Sequence, residues 1–124
     1  MASVTVSGVA YVMLGVTDIE RSTRFYEQTL GRAVRFKVEG ALVFIDGGPI
    51  TIGLNRGLAA GRPSIAGATE LVFAVEEVKA SWRALSAKGV AFVTEPRQAT
   101  EKEWTATFTD PDGHYLTLFG PPGE

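Results

Sequence analysis

One supersecondary unit is written twice along this chain. The tract from Val12 to Tyr26 ends at Leu30 and Gly31, and the tract from Leu71 to Leu85 ends at Lys88 and Gly89. Each is a short apolar strand, an acidic helix start, an amphipathic helix and a glycine stop, so a single unit is used two times. In the first copy Val12, Leu14 and Val16 alternate with Tyr11, Met13 and Gly15, a period of two whose apolar side packs on a helix. Thr17 to Glu20 has the spacing of a capping box, Ile19, Tyr26 and Leu30 share one helical face, and Gly31 is placed to end the helix. Strands are expected at residues 34–38, 41–45 and 50–54, with Asp46 to Pro49 as the turn between the last two.

The second copy keeps the order. Leu71, Phe73 and Val75 alternate with Glu70, Val72 and Ala74, while Val78, Trp82 and Leu85 form the helix stripe. Strands follow at residues 91–93, 104–108 and 115–119, and residues 95–103 read as a polar loop. Asp110, Pro111, Asp112 and Gly113 make a tight turn, where proline presets φ and glycine accepts positive φ. The chain therefore divides into module one over residues 9–55, a Gly- and Ala-rich connector over 56–68 and module two over 69–120, both modules reading βαβββ.

Composition limits what the two modules can do. With 124 residues and 45% hydrophobic content, the chain supports one core and is too short for two independent domains, which predicts a single domain. Twelve Lys and Arg stand against fourteen Asp and Glu, with no basic stripe, so nucleic acid is not an expected partner. The apolar run from Val9 to Val16 is far short of the roughly 20 residues of a membrane helix. The first residues lack the positive segment of a signal peptide. A soluble, cytoplasmic protein without a membrane partner is the expectation. The absence of Cys removes disulfides, thiolate nucleophiles and Cys-type zinc sites, and no glycine-rich phosphate loop links a strand to a helix.

The chain resembles the vicinal oxygen chelate superfamily, which contains glyoxalase I, bleomycin-resistance proteins and extradiol dioxygenases, and within it the metal-free bleomycin-resistance-like branch. The resemblance runs from Tyr11 to Phe119. It is carried by Val16, Thr17 and Asp18, by Phe25 and Tyr26 followed by Leu30 and Gly31, by Gly89 and Val90, and by the run from Phe108 to Gly113 before a final strand. It implies an α+β fold in which two βαβββ modules set eight strands as a curved mixed sheet around a cavity, commonly in a dimer. It does not imply one activity, because this fold hosts isomerases, dioxygenases, thiol transferases and metal-free binding proteins.

Metal-dependent members that look like this chain place a His or carboxylate at four strand positions, which here hold Tyr11, Gly53, Glu70 and Thr117. Glu70 is the one strong ligand among them, whereas a divalent ion needs about three even at an open catalytic site. The chain has one His, so a symmetric dimer supplies one per site, and a two-His, one-carboxylate iron centre cannot be assembled. That His, His114, shares strand parity with Leu116 and Leu118 and reads as a turn or strand-start residue. No metal and no cofactor are expected.

The inward face is expected to be aromatic. If Thr109 pairs with His114 across a four-residue turn, Phe108 lies beside Tyr115, Ala106 beside Thr117 and Trp104 beside Phe119, all on the cavity side. The candidate ligand-binding set is then Tyr11, Met13, Thr51, Gly53, Asn55, Glu70, Trp104, Ala106, Tyr115 and Thr117, with aromatic walls and a few polar groups suited to a flat organic ligand. Glu70 reads either as a solvated strand end or, facing a cavity, as the anchor for a cationic ligand or a general base. Arg35 and Arg62 are expected only to keep the surface soluble. These observations point to a homodimeric, metal-free protein that binds a small aromatic or polycyclic natural product and protects by sequestering it. The alternative is a lyase or isomerase of the glyoxalase kind with Glu70 as general base or single metal ligand. A third possibility is a structural or regulatory dimer with a vestigial cavity.

Overall fold

Each copy of the repeat builds its own four-stranded sheet. The computed structural model describes residues 10–59 and 69–124, and the chain separates into two units, Met1–Ala60 and Gly61–Glu124. The first holds β1 (Tyr11–Gly15), α1 (Ile19–Arg24) continued by a π turn (Phe25–Thr29), β2 (Val34–Val38), β3 (Leu42–Asp46), β4 (Thr51–Asn55) and a single helical turn, α2 (Arg56–Ala59). The second holds β5 (Glu70–Ala74), α3 (Val78–Ala87), β6 (Arg97–Gln98), β7 (Trp104–Thr109) and β8 (Tyr115–Gly120). Their strand orders correspond, β1-β4-β3-β2 and β5-β8-β7-β6. In both, the first and last strands run parallel and the other neighbours antiparallel. The two βαβββ modules are as the repeat predicts, and the α+β class is as the resemblance implies. From residue 60 onward, the expected connector, with Gly61, Arg62 and Gly67, lies outside the described residues, as does residue 9.

Local chemistry explains the helix ends. Asp18, not Thr17, is the N-cap: it is the last extended residue, with φ −132°, so its Oδ1 accepts the Arg21 backbone N–H at 3.0 Å. Thr17 instead accepts a hydrogen bond from the Arg21 guanidinium at 3.1 Å. The Arg21 N–H on Asp18 holds that carboxyl below its ordinary value. Gly31 and Gly89 both take positive φ, +70° and +86°, a conformation that costs a side-chain-bearing residue energy and stops each helix.

The apolar faces fall where the period of two puts them. Under α1, Leu14, Val43, Ile45, Ile52 and Leu54 are buried together with Ile19 and Tyr26 of the helix. In the second unit Ala106, Phe108, Leu116 and Leu118 are buried with Val78 and Leu85, and the Phe92 ring lies 5.2 Å from Phe108 and 6.5 Å from Trp82. Each fully buried aliphatic or aromatic side chain of this kind contributes about 1.5–3 kcal/mol by leaving water.

Two stretches differ from expectation. No strand forms over residues 91–93: Phe92 makes an isolated bridge to Phe108, and Val93 and Thr94 both donate to the Thr107 carbonyl, at 2.7 and 3.2 Å, a bulge that ends the pairing. The edge strand is β6, inside the expected polar loop, and its two residues pair with Thr105 and Trp104. In module one, β3 and β4 each begin one residue late, because Ala41 closes the preceding turn by donating to the Val38 carbonyl at 3.0 Å, while Asp46 uses its Oδ1 to hold the Gly48 N–H at 2.9 Å. Among the described residues no helix is long and apolar enough to cross a membrane.

Candidate functional site

In each module the two central strands have one face under the helix and one turned away from it, and the pairing register extends the latter across the sheet as the open face. In module one the pairing of Tyr11 with Thr51, Met13 with Gly53 and Gly15 with Asn55 puts the expected residues Tyr11, Met13, Thr51, Gly53 and Asn55 on the open face together. Gly53 also pairs with Phe44. A side chain at Gly53 would overlap Met13 Sδ, so Met13 lies down across the glycine. The Tyr11 and Phe44 rings stand 5.1 Å apart and Phe36 is 6.2 Å beyond Phe44. The result is an aromatic and thioether surface with Tyr11, Phe36 and Val38 exposed at 48, 57 and 47%. Phe36 and Phe44 were missed by sequence reasoning. Phe44 shares parity with Leu42 and was findable, but Phe36 reaches this face only because the register shifts between Val34 and Phe36.

The residue at that shift, Arg35, does more than face solvent. Its Nη2 lies 3.1 Å from Asp46 Oδ2, and Arg32 reaches the same oxygen at 3.3 Å. The Gly48 N–H, then Arg35 and Arg32, hold the Asp46 carboxyl below its ordinary value. The cluster staples β2 to the end of β3.

Module two requires a correction. Thr109 pairs with Tyr115, not His114, because Asp110 Oδ1 accepts the N–H groups of Asp112 and His114 at 3.0 and 2.9 Å and the Asp110 N–H donates to the His114 carbonyl at 3.1 Å. His114 is thereby drawn into a five-residue turn, and a one-residue slip moves every side chain of β7 to the other face. Trp104 and Ala106 therefore lie on the helix side, with Phe108. Ala106 is fully buried, and the Lys79 ammonium of α3 sits 4.7 Å over the Trp104 ring. The open face receives Thr105, Thr107 and Thr109 instead.

This exchange assembles a hydrogen-bonded chain. Glu70 pairs with Tyr115 and Val72 with Thr117, so Glu70, Tyr115 and Thr117 share the open face. Thr117 Oγ1 donates to Glu70 Oε2 at 2.7 Å, and Thr107 Oγ1 lies 2.8 Å from Thr117 Oγ1. A hydroxyl has one proton. Since Thr117 gives its proton to the carboxylate, it accepts from Thr107, and both hydroxyl dipoles point toward Glu70. Thr107 is the residue sequence reasoning missed here, for the same one-residue reason.

The four positions to which the resemblance assigns metal ligands divide between the modules as Tyr11 and Gly53, and Glu70 and Thr117. Their chemistry does not fit a divalent cation: Gly53 offers no donor and is covered by Met13, and the Thr117 proton is committed to Glu70, leaving one carboxylate where about three ligands are needed. Among the described residues no three His, Cys, Asp or Glu side chains cluster.

Solved structures share this architecture. The antibiotic binding protein TnmS3 from Streptomyces sp. CB03234 is 25% identical, with a TM-score of 0.77 over 96% of this chain and 99% of that one. The fosfomycin resistance protein FosX from Listeria monocytogenes is 18% identical, with a TM-score of 0.77 over 93% of each chain. Lactoylglutathione lyase from Agrobacterium tumefaciens is 16% identical, with a TM-score of 0.74 over 91% of this chain and 92% of that one. No curated protein sequence matches. A family model matches residues 8–118, nearly the whole repeat, and on that match the chain belongs to the Glyoxalase/Bleomycin resistance protein/Dioxygenase superfamily.

Proposed function

We propose that this protein binds a small aromatic or polycyclic natural product without a metal and protects by sequestering it, acting as a homodimer. The observation that carries the reading is the open face of module one, where Tyr11, Phe36 and Val38 stay about half exposed around Phe44 and Met13. A surface of this composition is stable in water only at a cost and is suited to a flat apolar partner. The likeness to an antibiotic binding protein at 25% identity over 96% of the chain supports the same reading. Homodimer formation is part of it because a half-sheet with an apolar face gains by having that face completed.

The second reading, a lyase or isomerase with Glu70 as general base, is favoured by one feature: an exposed carboxylate aimed by a buried hydroxyl. A base must be held within reach of the proton it removes. The sequestration reading is preferred because the hydroxyl bonded to Glu70, that of Thr117, is buried at 4% exposure and so lies out of a substrate's reach.

The test is calorimetric titration of an anthraquinone into wild type and Tyr11→Ala, with elemental analysis and sedimentation of the same preparation. Binding that weakens in Tyr11→Ala by about 0.5–1.5 kcal/mol, no stoichiometric metal after dialysis and a dimeric mass are expected. One chelator-removable ion per subunit, or a monomer of 13.2 kDa at micromolar concentration, would overturn the corresponding part, and turnover of a substrate lost in Glu70→Gln would favour the enzyme.

A further inference from the structure

The open face of module two carries fixed acceptors and no free donor on its hydroxyl chain. Thr107 donates to Thr117 and Thr117 to Glu70, so both protons are spent and the chain ends on a carboxylate. Thr107 and Thr117 are 8 and 4% exposed, whereas Glu70 is exposed. A ligand therefore meets the carboxylate, and the threonines act through it. Among the described residues no cation pairs with Glu70, and its neighbours on this face, Val72 and Tyr115, carry no positive charge. A carboxylate with an aromatic ring, Tyr115, beside it and no counter-ion is complementary to a protonated amine, which gains both a charge-assisted hydrogen bond and attraction to the ring face.

We infer that this face selects ligands bearing a protonated amine, and that Thr107 is a specificity-determining positioning residue. It polarises Thr117 and so fixes the Glu70 rotamer. The inference rests on the aromatic-binding reading of the same protein and adds the charge of the ligand. Without Thr107, the Thr117 hydroxyl loses the donor that holds its acceptor side and is free to rotate away from Glu70; the carboxylate then samples several rotamers, and the entropy of ordering it falls on the ligand.

The experiment titrates three planar tricyclic probes of similar area: 9-aminoacridine, cationic at neutral pH, neutral anthracene-9-methanol and anionic anthracene-9-carboxylate. Wild type is expected to bind the cation about tenfold more tightly than the anion, the scale of one hydrogen bond to a charged group. Glu70→Gln should abolish that ratio while all three probes still bind. Thr107→Val should narrow it severalfold and Thr107→Ser restore it, a rescue that ties the charge preference to the hydroxyl and not to side-chain shape; Thr117→Val, which removes the donor itself, is a second route if Thr107→Val fails to fold. Equal binding of the three probes, or a ratio unchanged in Thr107→Val, overturns the inference and leaves the aromatic reading standing. Failure of all three to bind overturns both.

Discussion

The two modules place different chemistry on matching positions. Tyr11 and Gly53 of module one occupy the strand positions of Glu70 and Thr117 in module two, and Phe44 faces Gly53 across the ladder as Thr107 faces Thr117. In one copy the trio is two rings 5.1 Å apart with Met13 laid over a glycine between them. In the other it is a carboxylate and two hydroxyls joined at 2.7 and 2.8 Å. The central position decides: a glycine leaves room for neighbours to pack over it, whereas a threonine supplies a proton that must be placed. One scaffold thus makes an apolar surface and a polar one by exchanging three side chains.

The comparison depends on which face β7 presents, and the largest effect tests that. Phe108 is fully buried against Phe92 on the helix side, so Phe108→Ala should cost about 3–5 kcal/mol in urea unfolding. Phe44→Ala on the open face of module one should cost clearly less. If the two cost the same, the open and helix faces have been interchanged. A smaller effect contrasts two glycines. A side chain at Gly120 would overlap the Val75 backbone carbonyl, which cannot rotate away, so Gly120→Ala should lose about 1–3 kcal/mol. At Gly53 the obstacle is the thioether of Met13, which moves, so Gly53→Ala should fall below that range and show instead as altered ligand affinity. Equal losses at the two glycines would mean that Met13 is locked.

The smallest effect concerns acid. Asp18 and Asp46, both in module one, have carboxyls held below the ordinary aspartate value of 3.8 by backbone N–H groups and nearby arginines. The unfolded chain therefore takes up protons first as pH falls: the stabilisation is complete above pH 3.8 and is lost as pH drops through the lower folded values. Hydrogen exchange in acid should open amides of β3 and the α1 start, and Asp18→Asn with Asp46→Asn should flatten that dependence. Unchanged pH dependence in the double variant would mean that these contacts contribute nothing in solution.

What the sequence showed and what it hid follow one rule. Features set by neighbours in the chain were legible: the two helix stripes, the Gly31 and Gly89 stops, and the Asp110 to Gly113 turn all rest on local sterics and burial. Features set by a count across a gap were not. Whether His114 belongs to the turn or to β8 depends on its N–H donating to the side chain of a residue four positions away, and that single residue decides the face of Trp104, Ala106 and Thr107. The bulge at Arg35 likewise turned Phe36 to the open face, and the two-residue β6 is too short to show any period. In module one, where β1 and β4 pair without interruption, the five candidates Tyr11, Met13, Thr51, Gly53 and Asn55 share a face as alternation predicts.

Trp104 under Lys79 has a practical consequence. The chain has two tryptophans. One is on α3, with its ring 6.5 Å from Phe92, and the other lies beneath the Lys79 ammonium. Both indoles therefore sit where α3 docks on its own sheet, and the first copy of the repeat holds none. Tryptophan emission becomes a clock for the docking of α3 and is silent about the first module. A compound could occupy either open face without dimming it, so a flat fluorescence titration would say nothing against binding, while a shift in emission wavelength would date the separation of that helix from its strands.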